Sequence, residues 1–174
     1  MKNSSIKPML LPAAFLIFIA ASTRLFPHPF NFTAIGAMAL FSGANFKNKT
    51  FALLLPFIAM FLTDIVLGFH FSMAAVYACI GFTVWLGMKS SSDQNILRLA
   101  ASSLISSLVF FLITNLPFWY YDIQLYPMNL EGTLQSYTMA IPFFGNQIAG
   151  DLFYTALIFG VYRLFISVRL KSIA

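Results

Sequence analysis

Lys47-Asn48-Lys49-Thr50-Phe51-Ala52-Leu53-Leu54-Leu55-Pro56-Phe57-Ile58-Ala59-Met60-Phe61-Leu62-Thr63-Asp64-Ile65-Val66-Leu67-Gly68-Phe69 opens with two lysines and continues as an apolar run broken by one charge, Asp64, near its far end. At ~1.5 Å per residue, such a run is long enough to cross the ~30 Å hydrocarbon core of a bilayer. Its basic end and its carboxylate-bearing end therefore lie on opposite sides.

Reading outward in both directions, apolar segments recur at 9–26, 29–46, 51–69, 71–88, 96–117 and 144–165, with basic residues at alternate connections. Lys2 and Lys7 precede the first. Lys47 and Lys49 separate the second from the third, Lys89 and Arg98 the fourth from the fifth, and Arg163, Arg169 and Lys171 close the sixth. Nine of the ten Lys and Arg residues thus share one side, and Arg24 alone falls on the other. Short loops rich in Lys and Arg stay in the cytoplasm. The expected fold is an all-α, polytopic six-transmembrane-helix bundle, one integral membrane domain over 1–174, with both termini cytoplasmic in the inner membrane. Asp64, Asp122, Glu131 and Asp151 fall in or near the outer half, and only Asp93 lies inside.

Composition agrees. Hydrophobic residues make up 60% of the 174 and charged residues 9%, against roughly 25% charged in soluble domains. The net charge of +5 is spread over several short loops, which suits anionic lipid at a cytoplasmic rim rather than nucleic acid. One cysteine, Cys79, excludes an internal disulfide and reads as a small core residue. The basic start, apolar stretch and Ala20-Ala21-Ser22 resemble a secretory signal, but removal would upset the charge pattern, so the segment is expected to be retained as the first span.

The second segment is the shortest. Its clearly apolar part, 32–44, reaches only ~20 Å and is taken as spanning because Lys47 and Lys49 must return to the basic side. Ala34, Ala37, Ala39 and Gly43 give it a smooth face, and small residues allow helices to approach closely in lipid. The connection 118–142 is aromatic (Trp119, Tyr120, Tyr121, Tyr126, Tyr137) and is expected to lie across the outer face as a lid or interfacial helix.

Candidate chemistry collects at the outer ends. An aspartate inside a span costs ~2.5–3.5 kcal/mol on insertion scales and normally faces a cavity or a partner, which singles out Asp64 and Asp151. Arg24 can pair with either or hold an anion bidentately. Asn31, Asn115, Asn146 and Gln147 share that depth beside Trp119, and convergent polar groups within aromatic walls suit small-molecule recognition. The expected substrate-binding set is therefore Arg24, Asn31, Asp64, Asn115, Trp119, Asn146, Gln147 and Asp151. His28 and His70 lack metal-ligand spacing; no metal site and no cofactor is expected. Without a nucleophile motif or a phosphate-binding glycine loop, neither an enzyme nor an ATP site is expected.

Three stretches carry a resemblance: Leu25-Phe26-Pro27-His28-Pro29-Phe30-Asn31-Phe32-Thr33-Ala34-Ile35-Gly36-Ala37-Met38-Ala39-Leu40-Phe41, Phe61-Leu62-Thr63-Asp64-Ile65-Val66-Leu67-Gly68-Phe69-His70, and Pro142-Phe143-Phe144-Gly145-Asn146-Gln147-Ile148-Ala149-Gly150-Asp151-Leu152-Phe153-Tyr154. Through them the chain resembles a family of uncharacterised bacterial integral membrane proteins described as transport proteins. That family is similar in size and layout to the substrate-capture subunits of energy-coupling factor transporters. The resemblance implies an outward-facing pocket for a vitamin-like or metal-containing small molecule and a separate ATPase-linked membrane partner. Capture subunits dock through an Ala-x-x-x-Ala pattern in the first helix; here the small-residue face is on the second, and the resemblance places docking at Ala34, Ala37, Ala39 and Gly43. The alternatives are an envelope scaffold without a ligand and, less favoured, an intramembrane enzyme using Asp64 and Asp151.

The topology is directly testable. Single cysteines at Asn48, Ser91 and Glu131 in a Cys79→Ala background are probed in whole cells with an impermeant thiol reagent. Only position 131 should label from outside; external labelling of position 48 would mean that the second segment re-enters instead of crossing.

Overall fold

The computed structural model of the protein describes residues 7–90 and 95–171, with side chains over 11–90 and 95–168. Lys2 and Asp93 of the charge pattern, and the labelling position Ser91, lie outside the described residues. Six α helices follow in order: α1 (Lys7–Ser22), α2 (Ile35–Asn45), α3 (Lys49–Leu67), α4 (Met73–Lys89), α5 (Ile96–Thr114) and α6 (Leu130–Lys171). Short 3-10 turns at Thr23–Leu25 and Pro117–Tyr120 follow α1 and α5. Among the described residues there is no strand.

Local chemistry sets several helix ends. The Asn48 side chain accepts from the Thr50 and Phe51 amides at 2.9 and 3.2 Å, supplying the N-terminal acceptor that a helix start lacks. Asn95 does the same for α5 through Leu97. α3 stops at Gly68, whose φ of 97° is a backbone conformation that glycine adopts without steric penalty.

α3, α5 and the Leu130–Val168 part of α6 are long and apolar enough to cross a membrane, whereas the apolar parts of α1, α2 and α4 are shorter. The surface is lipid-like. On α3, Leu53, Leu54, Ile58, Phe61, Leu62, Ile65 and Val66 are all exposed. The interior joins an apolar core around Ile17, Met38, Leu40, Phe41 and Met60 to a stripe of small polar residues, with Ser102, Ser103, Ser106 and Ser107 of α5, Thr83 of α4 and Ser42 of α2 all buried. Lipid tails offer no hydrophobic drive for helices to associate, so close packing and interhelical hydrogen bonds replace it. Ser42 donates to the Ala52 carbonyl at 2.6 Å, Ser90 and Ser102 share a hydrogen bond at 3.2 Å, and the Thr83 and Ser106 hydroxyls are hydrogen-bonded. This is the surface and core of a membrane protein.

α2 is the centre of the bundle and packs against all five other helices. Every residue from Ala37 to Ala44 is buried. Its tightest neighbour is α4: a Cβ placed on Gly43 would overlap the Val84 carbonyl oxygen, and one on Gly87 would overlap the Leu40 carbonyl oxygen. Ala34, Ala37, Ala39 and Gly43, the face expected to dock a partner, are buried within the bundle in this structure.

Two boundaries also differ from expectation. α2 begins at Ile35 rather than near residue 29, because Pro29 to Phe32 form a turn closed by the Phe32 amide donating to the Pro29 carbonyl at 2.9 Å, with Asn31 at φ 63°, a left-handed position that asparagine tolerates. The outer connection 118–142 is not a separate lid. From Leu130 onward it is the first part of α6, continuous through Pro142. The Asn129 side chain accepts from the Gly132 amide at 2.9 Å and starts the helix. Ser136 donates to the Asn115 carbonyl at 2.6 Å, Tyr137 donates to the Leu112 carbonyl, and Phe144 stacks on Phe111 with ring centroids 4.4 Å apart. Those contacts hold the extension against the end of α5.

The α2–α4 contact makes a signed prediction. Glycine to alanine in an open helix position gains up to ~1 kcal/mol of helix propensity, so Gly145→Ala, where nothing lies within 4 Å of the new methyl, should be neutral or stabilising. Gly43→Ala should instead lose about 1–3 kcal/mol to overpacking. Thermal unfolding of both variants in detergent checks the sign.

Candidate functional site

A cavity of about 500 Å³ opens at the end of the bundle where α1 and α3 finish and α2 and α4 begin. Its rim is the 26–33 loop with His28, Phe30 and Asn31, together with Leu67 and His70. One face of α4 forms a wall, Val76, Cys79, Ile80 and Thr83, at helical spacings that bring all four to one side. Ser106 and Phe110 of α5 and Gln147 and Asp151 of α6 complete the inner part. Cys79, Thr83, Ser106, Gln147 and Asp151 are each under a tenth exposed, whereas His28 and His70 are exposed. The space thus runs from an open, mixed rim to a buried polar floor.

Asp151 sits where three elements meet. One carboxylate oxygen accepts from the Ser107 hydroxyl at 2.7 Å, the carboxyl group lies directly against Gly36, and the Gln147 amide, one turn earlier on α6, donates to the Ser107 carbonyl at 3.5 Å. The Ser107 hydroxyl oxygen also lies 3.0 Å from the Ser103 carbonyl oxygen, so its single proton serves one acceptor at a time. Gly36 is the second residue of α2, where backbone N–H groups have no intrahelical acceptor, and the positive end of the helix dipole favours an anion there. A side chain on Gly36 would overlap the Asp151 carboxylate, and a Cβ on Gly150 would lie 3.0 Å from the Phe32 Cα. Two glycines therefore let α6 reach the start of α2 and the loop before it. Phe32 fastens that loop to α6, its ring centroid 5.9 Å from Phe153 and 5.7 Å from Tyr154.

Asp64 is occupied differently. The Arg24 guanidinium lies 2.6 Å from one oxygen, and the Tyr77 hydroxyl donates to the other at 2.7 Å. Arg24 also donates to the Thr63 hydroxyl at 2.7 Å. With Asp64 2% and Arg24 13% exposed at the side chain, this pair clamps the turn after α1 to α3 and α4, behind the cavity wall.

Of the eight residues expected to bind substrate, Arg24, Asn31, Gln147 and Asp151 line the cavity and are brought together there. Asp64, Asn115, Trp119 and Asn146 do not line it. Asn115 donates to the Phe111 carbonyl at 2.8 Å and Trp119 to the Ile113 carbonyl at 2.7 Å, both satisfying acceptors left over at the end of α5. Asn146 is half-buried, one residue before the cavity-facing Gln147. Outside the spans, burial and then the neighbouring Tyr126 raise the Tyr120 hydroxyl above its ordinary pKa, which keeps it a neutral donor.

The pattern of a family of unknown function, DUF6580, matches residues 4–173. The chain belongs to that family. No curated protein and no solved structure matches the chain. The family match covers both carboxylates and every element that lines the cavity.

Sequence reasoning missed Gly36, Thr83, Ser106, Ser107 and Tyr77. The serines had a signal: Ser102, Ser103, Ser106 and Ser107 recur at helical spacing on an otherwise apolar helix, which marks an inward polar stripe. Tyr77 and Gly36 had none, because their roles depend on which helices become neighbours.

The clamp predicts an ordering of stabilities. Removing one partner of a buried ion pair costs about 3–5 kcal/mol, and removing one hydrogen bond to a buried polar group about 1–3 kcal/mol. Arg24→Met should therefore lower the unfolding midpoint more than Tyr77→Phe, and adding Asp64→Asn to Arg24→Met should restore part of the loss. Equal and negligible effects in unfolding titrations would show that the clamp is incidental.

Proposed function

We propose that this protein is a membrane transport component that captures a small molecule in an outward-facing pocket. In this reading all six helices lie in the bilayer, the termini and the Lys47, Lys49, Lys89 and Arg98 end are cytoplasmic, and the cavity mouth formed by the 26–33 loop and His70 faces out. The observation that carries the reading is the cavity itself: about 500 Å³, apolar on most walls, with a buried cluster of Thr83, Ser106, Gln147 and Asp151 at its inner end. That size and mixture suits a small organic ligand. The aspartate at the floor supports it further, since intramembrane carboxylates are placed at substrate paths more often than chance burial would allow.

The energy source in this reading is a separate ATPase-linked membrane subunit, as in the capture subunits that the chain resembles. Because the small face of α2 is buried against α4, such a partner docks on the lipid-facing surface of the outer helices.

A second reading is a ligand-free envelope scaffold. It is favoured by one observation: both oxygens of Asp64 are taken up by Arg24 and Tyr77, so that carboxylate is fully accounted for by helix packing.

Mass spectrometry of small molecules retained by the purified, detergent-extracted protein separates the two. Val76 is half-buried on the cavity wall, and Val76→Trp fills space there without entering the core. Capture predicts a stoichiometric compound in the parent and at least tenfold less in a folded Val76→Trp variant. No retained compound, or equal retention in both, contradicts the pocket.

A further inference from the structure

The cavity floor holds one carboxyl group, Asp151, that meets no cation among the described residues. Apart from the rim histidines, the ionisable groups that carry charge on its lining are Arg24 and Asp151. Arg24 is met by Asp64 at 2.6 Å. Around Asp151 the neighbours are a serine hydroxyl, a glutamine amide and the glycine at the start of α2, all neutral. The nearest basic residues on the helices that surround it are Arg98 on α5 and Arg163 on α6. Measured along those helices, Arg98 is roughly 13 Å from Ser107 and Arg163 roughly 18 Å from Asp151. Neutral donors and the start of α2 orient the carboxylate, but a buried anion in a medium of low dielectric is stabilised most by a cation in direct contact.

The surroundings say what kind of cation fits. No three His, Cys, Asp or Glu side chains converge to hold a metal ion among the described residues, and about 500 Å³ is far more than one ion needs. Ile80 and Phe110 line the same cavity as Asp151, as do Thr83 and Ser106, whose hydroxyls are hydrogen-bonded to each other. An ammonium group has three N–H donors and no acceptor, which a carboxylate and two hydroxyl oxygens can receive, while aromatic rings are favourable neighbours for a desolvated cation.

Resting on the ligand-capture reading, we infer that the cavity takes an organic ammonium compound. Its protonated amine is held by Asp151, and its apolar body lies along Ile80 and Phe110 toward the rim.

The test uses the full chain in lipid nanodiscs and matched probes: benzyl-, phenethyl- and phenylbutylammonium, with the alcohols and carboxylates of the same skeletons, titrated by calorimetry. At least one ammonium should bind, at least tenfold tighter than its alcohol, and the carboxylates should not bind. Asp151→Asn keeps the size of the side chain against Gly36 and should bring that ammonium down to the affinity of its alcohol. If that variant does not fold, the comparison within the parent protein decides by itself. Alcohols or carboxylates that bind as well as the ammonium compounds would overturn the ammonium assignment and leave ligand capture standing. A heat of binding from sodium or potassium chloride alone, with none from the amines, would reassign Asp151 to an inorganic cation. Silence from every probe overturns the inference. It removes ligand capture as well only if the purified protein also retains no small molecule.

Discussion

The carboxylate of Asp151, reaching the start of α2, is the contact on which this end of the bundle depends. α2 has 11 residues, roughly 16 Å of helix, too little to cross a bilayer unaided. Its first amides would be left without acceptors in the low-dielectric interior, which is costly for backbone polar groups. α6 brings the Asp151 carboxylate against the start of α2, and Gly36 and Gly150 remove the bulk that would hold the two elements apart. With α2 beginning that deep, the 26–33 loop covers the remaining distance, and the cavity is the space left beneath it.

The rest of the architecture follows from placing a short helix in the middle. α2 presents small groups toward α4 and α3, so Gly43 meets Gly87 and the Val84 carbonyl of α4, while Ser42 bonds the Ala52 carbonyl of α3. Phe41, Met38 and Leu40 of α2 fill the interior beside these close contacts, and α3 turns a nearly continuous apolar ridge outward. The Arg24–Asp64–Tyr77 clamp fixes the end of α1, the end of α3 and the start of α4 around that centre. The two intramembrane aspartates look alike in sequence, but they are opposites in charge balance: Asp64 has its cation, and Asp151 has only neutral donors.

Much of the fold was legible because apolar runs and basic loops are properties of segments. α3, α4 and α5 fall within a few residues of the segments 51–69, 71–88 and 96–117. What stayed illegible depends on neighbours. Residues 118–142 read as an outer lid or short interfacial helix because they are rich in Trp and Tyr, yet Asn129, Ser136 and Tyr137 start residues 130–142 as the first part of α6 and tie them to α5. Depth alone grouped Asn115 and Trp119 with the site, but both turn back to carbonyls of their own segment. The smooth face of α2 was visible as composition, whereas its being turned inward against α4 required the three-dimensional arrangement.

The central claim is that a water-accessible chamber reaches from the loop end down to the floor at Asp151. The protein carries its own probe, since its one cysteine, Cys79, is buried at 2% exposure and lies on the chamber wall. The direct measurement is the rate at which a small, permanently cationic, impermeant methanethiosulfonate modifies Cys79 when added outside intact cells. The account predicts modification in the folded protein, slowed at least tenfold by Val76→Trp. A thiol that reacts only after denaturation, or only when the reagent is supplied from the cytoplasmic side, would contradict it.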